Sequence, residues 1–282
     1  MSGFGKSSLV SVDASPEGDG VPLDLRKRED LDAVIILGPT GSGKTGVSIK
    51  LAKVLDGEII SADSRAIYKG MDIGTAKPTV DEMEGVPHYG IDLVWPDERF
   101  TVADWKEYAE RKMREIKARG HLPIIVGGTG LYIDALIYDY KFRGPTGERI
   151  GDNEQKSCSD RKRVKGSYLI VGVRWGAEEL RERLYKRIVQ MFRPELYEEV
   201  KKLAREYDWS IGAMKSDIYR FAYKYMMGEV TLEEAKEQCF YADWHLAKRQ
   251  MTWFKRNSDI IWLGLEEIYP FVIKYIQDEQ RN

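Results

Sequence analysis

Gly38-Pro39-Thr40-Gly41-Ser42-Gly43-Lys44-Thr45 is the stretch that says most about this chain, because it matches the pattern G-x-x-x-x-G-K-[ST]. The apolar run 33–37 precedes it, as a buried strand would, and apolar residues at helical spacing follow it. Glycines let the backbone N–H groups turn toward phosphate oxygens, and the helix adds its positive N-terminal end. The pattern predicts a nucleotide- or diphosphate-binding P-loop of the kind found in ATP-binding proteins. In it Lys44 reaches a terminal phosphate and the Thr45 hydroxyl binds Mg²⁺. The motif leaves open whether phosphate is transferred, hydrolysed or expelled.

The composition fits a globular protein of the reducing cytoplasm. The chain has 282 residues, 43% of them hydrophobic, and a net charge of −2, so any RNA contact must come from local basic patches. Its two cysteines, Cys158 and Cys239, are far apart, which argues against a disulfide framework and against a cysteine-rich zinc site. The sequence has neither a membrane-length apolar run nor an apolar signal core, so we expect no membrane association.

Alternating strand and helix patterns predict an α/β fold: a P-loop NTPase-like parallel sheet flanked by helices, with a helical C-terminal part. The predicted strands are 33–37, 58–63, 123–128 and 168–175, with a possible edge strand at 260–263. Thr101-x-x-Asp104 predicts the start of a helix that ends at Gly120, and Thr231-x-x-Glu234 predicts the start of a long final helix. Ligands of such sheets bind at the carboxyl ends of the strands, where Lys44, Asp63 and Thr129 are expected to meet.

Two stretches lack this alternation. Residues 1–30 are rich in Ser, Gly and charge, and we interpret them as a disordered tail before a folded unit at 31–282. Residues 141–167 carry eight basic and four acidic side chains with no periodicity. This stretch is interpreted either as a solvated flexible loop or as a basic arm for RNA phosphates.

Several side chains are candidates for chemistry, each with an ordinary structural alternative. Asp63, at a predicted strand end, can bind Mg²⁺ through water, act as a general base, or cap the next turn. Thr129 lies among three glycines, where it either offers its hydroxyl to a ligand or belongs to a tight turn. Arg183 and Arg187, four residues apart on one helix, either bind a pyrophosphate or face solvent.

The predicted final helix carries Lys248-Arg249-Gln250-Met251-Thr252-Trp253-Phe254-Lys255-Arg256. Basic groups interleaved with aromatic rings suit phosphates and stacked bases. The same aromatic residues can equally pack in the core while the charges face water.

Five segments, in order, resemble the tRNA dimethylallyltransferases, also called tRNA isopentenyltransferases. They are GPTGSGKT (38–45), GEIISADSRAIYKGMDIGTAKPT (57–79), VPHYGID (86–92), PIIVGGTGLY (123–132) and AKRQMTWFK (247–255). The resemblance implies transfer of a dimethylallyl group from dimethylallyl diphosphate to N6 of the adenosine next to the tRNA anticodon, on its 3′ side. We expect a cytoplasmic monomer whose partners are that diphosphate and the tRNA anticodon loop.

The resemblance also implies roles for individual residues. Residues 38–45, Mg²⁺ at Thr45 and Arg187 would neutralise the leaving pyrophosphate, Asp63 would take a proton from the adenine amine, and Thr129 would orient the base. The expected tRNA-binding residues are Asp63, Ser64, Arg65, Ala66, Thr129, Arg220, Lys248, Arg249, Gln250, Trp253 and Lys255.

The sequence also departs from this family. The family inserts a helical tRNA-binding domain after VGGTGLY, where this chain has only residues 141–167. Ile218-Tyr219 stands where the family has Gly-Tyr, and Asp243-Trp244 stands where it has Thr-Arg. Three other functions remain open: an isopentenyltransferase that acts on free adenine nucleotide, a P-loop small-molecule kinase, and a non-catalytic RNA-binding protein.

Overall fold

The computed structural model describes residues 30–143, 148–149 and 164–278. The predicted tail at 1–30 lies outside the described residues except for Asp30. Most of the predicted basic loop at 141–167 also lies outside them. What is described of that loop includes two short strands that pair antiparallel, Phe142–Arg143 and Glu148–Arg149.

A parallel sheet forms the centre of the described structure, as predicted, and it has six strands. In chain order, the strands are β1 (Ala33–Leu37), β2 (Gly57–Ser61), β3 (His88–Tyr89), β4 (Leu122–Gly127), β5 (Phe142–Arg143), β6 (Glu148–Arg149), β7 (Tyr168–Val173) and β8 (Ile261–Leu263). The sheet order is β3-β2-β4-β1-β7-β8, and β5 and β6 form a separate two-stranded sheet. The expected edge strand at 260–263 is therefore confirmed as β8.

Helices cover both faces of the sheet and continue into a helical C-terminal part. They are α1 (Lys44–Leu55), α2 (Val102–Ala118), α3 (Gly130–Ile137), α4 (Ala177–Met191), α5 (Pro194–Glu206), α6 (Asp217–Met226), α7 (Leu232–Phe254) and α8 (Leu265–Asp278). Among the described residues, no helix combines the length and apolarity needed to span a membrane.

The alternation of side chains along β1 explains the two layers of core. Val34 and Ile36 face one side, where they pack in a cluster with residues of α1 and α8. Ile35 and Leu37 face the other side, in a cluster with residues of α2 and α3. Because a parallel strand inside such a sheet is buried on both faces, its sequence is continuously apolar.

The helical part has a core of its own. The two predicted apolar faces, one with Leu184 and Ile188 on α4 and one with Val200 on α5, pack together in it. Both predicted capping boxes are present, at Thr101 with Asp104 and at Thr231 with Glu234.

Two details of the sequence interpretation were wrong. The helix that begins after Thr231 is not the final one, because α8 follows β8 and packs on the sheet beside α1. The strand β3, which pairs with β2 at the sheet edge, was not predicted. Two residues are too few to show a periodicity, so β3 is specified by its partner strand.

Gly127, at the end of β4, is the most closely packed of the glycines in the sheet strands, and its substitution is expected to destabilise the fold. A Cβ atom at Gly127 would lie 2.2 Å from the carbonyl oxygen of Ala62, a backbone atom that can move little. We expect Gly127→Ala to lower the free energy of unfolding by about 3 kcal/mol, measured by urea denaturation.

Gly46, on α1, provides the matched control. A Cβ atom there meets nothing within 4 Å, so Gly46→Ala should stabilise the protein by about 0.5–1 kcal/mol through helix propensity. Equal effects of the two substitutions would contradict the steric explanation.

Candidate functional site

A large cavity opens at the carboxyl edge of the sheet, where three adjacent strands end. The P-loop follows β1, Thr129 follows β4 and Asp63 follows β2, and β4 lies between β1 and β2. The cavity has a volume of about 910 Å³, and its lining includes residues 40–45, Asp63, Thr129 and Arg187. The predicted meeting of Lys44, Asp63 and Thr129 is confirmed, because parallel strands bring their carboxyl ends to one edge.

The P-loop wraps around the N-terminus of α1. Gly41 and Gly43 have φ of 73° and 85°, in the left-handed region that glycine tolerates best. Lys44 Nζ donates to the carbonyl oxygen of Pro39 at 2.8 Å and lies 3.4 Å from Ser42 Oγ. Arg183 braces the loop from α4, because its Nε donates to the carbonyl oxygen of Gly41 at 3.1 Å. The loop is thus held in the curved form that presents its N–H groups to an anion.

The surroundings of Lys44 lower the pKa of its amino group. Burial lowers the pKa of Lys44 to about 8, the carboxylate of Asp63 opposes this shift, and the nearby cation Arg187 adds to it. An anion that enters beside Lys44 and Arg187 would relieve the repulsion between the two cations, so the site favours a ligand with several negative charges.

Asp63, Ser64 and Thr129 form the opposite wall of the cavity. The Thr129 hydroxyl oxygen accepts a hydrogen bond from Ser64 N–H at 3.0 Å, which ties the end of β2 to the start of α3. Asp63 Oδ1 accepts from Arg65 N–H at 2.8 Å. Asp63 therefore does cap the next turn, as the structural alternative proposed, and it also lines the cavity. Its second carboxylate oxygen has no hydrogen bond among the described residues.

Gln250 joins the two walls. Its Oε1 accepts from Thr40 N–H of the P-loop at 2.9 Å, and its Nε2 donates to the carbonyl oxygen of Gly128 at 3.0 Å. Trp253, one turn further along α7, donates from Nε1 to Asp134 Oδ2 at 3.1 Å and packs against Gly130. The helix expected to present these side chains to RNA thus uses two of them to hold the cavity together.

Loss of the Gln250 side chain is expected to loosen this junction. Gln250→Ala leaves one backbone donor and one backbone acceptor without their partners, which should lower the free energy of unfolding by about 1–3 kcal/mol in urea denaturation. The same change at Gln238, on the same helix but outside the cavity lining, should cost under about 0.5 kcal/mol. Equal losses in the two variants would contradict the bridging role.

The expected tRNA-binding residues fall into two groups. Asp63, Ser64, Arg65, Ala66, Thr129, Arg249, Gln250 and Trp253 line the cavity. Arg220, Lys248 and Lys255 lie outside its described lining. Arg220 pairs with Asp217 at 2.6 Å and lines a second cavity of about 330 Å³ with Trp209 and Tyr223.

Two features of the cavity were missed by the sequence interpretation. Lys77 lines the cavity and its amino group pairs with Asp72 and Asp92, each at 2.6 Å. Glu199, on α5, accepts hydrogen bonds from three successive backbone N–H groups at 72–74. Glu199 Oε1 also accepts from Tyr219 Oη at 2.7 Å, so one carboxylate fastens the cavity rim to the helical part. Such long-range contacts give no signal in the local sequence pattern.

The residues present fit an Mg²⁺ ion of the P-loop type. Thr45 lines the cavity at the start of α1, and its hydroxyl has no hydrogen bond among the described residues. Mg²⁺ prefers oxygen ligands and completes its shell with phosphate oxygens and water, so the Thr45 hydroxyl would be one of its protein ligands. No cluster of three or more His, Cys, Asp or Glu side chains suited to a metal occurs in the described ranges.

Comparisons with known proteins place this chain in one family. The family model described as IPP transferase matches residues 66–161 and 144–257. The tRNA dimethylallyltransferase of Bacillus cytotoxicus is 34% identical over 308 residues, covering 90% of this chain and 97% of that protein. Because this alignment spans more positions than the chain contributes, the relative has residues within it that this chain lacks. The enzyme of Acetivibrio thermocellus is 36% identical over 289 residues, covering 84% of this chain and 92% of the relative.

Solved structures of related proteins also resemble this chain. The tRNA isopentenylpyrophosphate transferase of Bacillus halodurans superposes with a TM-score of 0.73 and 31% identity, covering 88% of this chain and 98% of that one. A eukaryotic dimethylallyltransferase, 21% identical with a TM-score of 0.71, shares the fold. With the P-loop, the Asp63–Thr129 wall and these relatives together, the chain belongs to the tRNA dimethylallyltransferase, or IPP transferase, family.

Proposed function

We propose that this protein transfers a dimethylallyl group from dimethylallyl diphosphate to N6 of the adenosine on the 3′ side of a tRNA anticodon. One observation carries the proposal. A single cavity has an anion-binding wall at residues 40–45 with Arg187, and a wall with a carboxylate and a hydroxyl at Asp63 and Thr129. Two reactants, one with a diphosphate and one with an amine, can meet between them.

The donor side stabilises a leaving group. As the bond between the allylic carbon and the diphosphate oxygen breaks, negative charge develops on pyrophosphate beside Lys44, Arg187 and the P-loop N–H groups. Bound Mg²⁺, held by Thr45 and the phosphates, would supply further charge neutralisation. An allylic carbon tolerates positive charge, so stabilising the leaving group supplies much of the catalysis.

The acceptor side handles the proton. The adenine N6 amine attacks the allylic carbon, a new carbon–nitrogen bond forms, and Asp63 takes the proton that the amine loses. The Thr129 hydroxyl, fixed by Ser64, orients the base. The adenine must leave its stack to enter the cavity, at a cost of a few kcal/mol. Arg249, on the lining, and Lys248 and Lys255, beyond it, are suited to phosphates of the surrounding RNA.

One experiment tests this function against its alternatives. The protein is incubated with labelled dimethylallyl diphosphate, Mg²⁺ and unmodified tRNA, AMP or ATP. We expect label on tRNA alone. Label on AMP alone would instead indicate an enzyme of free nucleotides, and phosphate release from ATP without prenyl transfer would indicate a kinase. RNA binding without any transfer would indicate a non-catalytic protein.

The lowered pKa of Lys44 predicts a pH dependence of diphosphate binding. With a pKa of about 8 in the free protein, Lys44 is charged below pH 8 and loses its proton as the pH rises above it. Titration calorimetry with Mg²⁺ and pyrophosphate should therefore show a dissociation constant about tenfold higher at pH 9 than at pH 7. Lys44→Arg stays charged over this range and corrects for titration of the ligand itself. Identical pH profiles for the two proteins would contradict the prediction.

A further inference from the structure

An ion pair inside the cavity occupies the arginine that the donor diphosphate needs. Arg187 Nη1 on α4 donates to Asp243 Oδ2 on α7 at 2.7 Å. The pair is well shielded, with side-chain exposures of 26% for Arg187 and 18% for Asp243, and both residues line the cavity. Asp243 is therefore a second carboxylate in a site proposed to bind an anion.

Opposing influences act on the pKa of the Asp243 carboxyl. Burial raises the pKa of the Asp243 carboxyl, the Arg187 guanidinium opposes this shift, and the carboxylate of Asp217 on α6 reinforces it. The Cys239 thiol, also affected by this charge, lies one turn earlier on α7, and burial raises its pKa too. Arg187 is thus the cation on which the charged form of Asp243 depends.

Arg187 also acts on Lys44 of the P-loop. Its charge lowers the pKa of Lys44, so the two cations are close enough to interact through the cavity. A diphosphate bound at Lys44 would lie within the same field, with Arg187 attracting it and Asp243 repelling it. Two unit charges a few ångströms apart in such an environment interact strongly enough to change an affinity severalfold or more.

We propose that Asp243 competes with diphosphate for Arg187, lowering the affinity of the cavity for pyrophosphate and promoting release of this product. The inference rests on the proposed function, because it takes the anion to be the diphosphate of the donor. When the diphosphate binds, the Arg187 guanidinium leaves Asp243 and donates its N–H groups to the diphosphate. When the product leaves, the guanidinium returns to Asp243.

The alternative is that Asp243 only orients Arg187 for the ligand, and the two roles predict opposite signs. If Asp243 competes, removing its charge strengthens pyrophosphate binding. If Asp243 positions Arg187, removing the charge lets the guanidinium move and weakens binding. Asp243→Asn keeps the size of the side chain and an oxygen acceptor for Arg187 while removing the charge.

The test measures pyrophosphate binding by titration calorimetry in Mg²⁺ at pH 7, without donor or tRNA. We expect Asp243→Asn to bind pyrophosphate about tenfold more tightly than the unmodified protein, with product inhibition of transfer stronger by the same factor. Glu237→Gln is the matched control, since Glu237 lies on the same helix but is exposed and outside the described cavity lining, and the pyrophosphate affinity of this variant should change less than about twofold.

A double variant connects the effect to Arg187. In the Arg187→Ala background the competition is gone, so adding Asp243→Asn should strengthen binding far less than it does alone. Circular dichroism and thermal unfolding verify that each variant is folded, and Asp243→Ser serves if Asp243→Asn is not.

Equal or weaker pyrophosphate binding by Asp243→Asn would overturn the inference while leaving the proposed function intact. An equal gain in both backgrounds would do the same, because the effect would then not act through Arg187. Failure of every protein, including the unmodified one, to bind pyrophosphate would overturn the donor site itself.

Discussion

Lys44→Ala is expected to lower the rate of prenyl transfer by about three orders of magnitude. Removing one charged group that faces the developing charge of a leaving group typically costs a factor of 10²–10³. Lys44 is held in place by the carbonyl oxygen of Pro39 and has the Arg187 and Asp63 charges around it. The measurement is single-turnover transfer of labelled dimethylallyl to tRNA, with enzyme in excess.

Lys53, on the same helix, provides the control. It pairs with Glu84 at 2.7 Å on the surface, so Lys53→Ala should leave the transfer rate within about twofold of the original. A Lys44→Ala protein that is folded and transfers within tenfold of the original rate would show that the P-loop lysine does not neutralise the leaving group.

Asp63→Asn is expected to reduce kcat by 10²–10⁴-fold with little change in KM for the diphosphate, as loss of a general base does. Asparagine retains the oxygen that accepts from Arg65 N–H, so the turn after β2 should keep its shape. The variant cannot accept the proton of the adenine amine.

Asp56 lies at the opposite end of β2 and serves as a matched control. It adopts the left-handed conformation with φ of 49°, which asparagine tolerates, so Asp56→Asn should leave kcat unchanged. Full activity of Asp63→Asn would remove Asp63 as the base and leave it the turn-capping role.

The elements that could be predicted from sequence are those with a strong local pattern. The P-loop glycines, the apolar strand β1 and the two capping boxes each repeat or cluster within a few residues. The rim position of Asp63 and Thr129 follows from their places at the carboxyl ends of predicted strands, since a parallel sheet brings these ends to one edge. The residue roles implied by the family resemblance remain predictions, including those of Arg220, Lys248 and Lys255.

Other features depend on residues far apart in the chain. Gln250 was predicted only as a tRNA-binding residue, yet its side chain bonds Thr40, 210 positions away, and Gly128, 122 positions away. Nothing in the local sequence distinguishes Glu199 from a solvent-facing helix residue, but it accepts hydrogen bonds from three backbone N–H groups of another segment. In the sequence, Asp243 was noted only as a departure from the family, and the structure pairs it with Arg187.

The local sequence was therefore enough to establish a P-loop, a parallel sheet and the family of this chain, because backbone geometry and binary pattern act within a few residues. Packing of α4 against α7 established which cation faces which carboxylate in the cavity. The physical reason is that charge interactions depend on distance in space and on burial. Neither distance nor burial can be inferred from the spacing of residues along the chain.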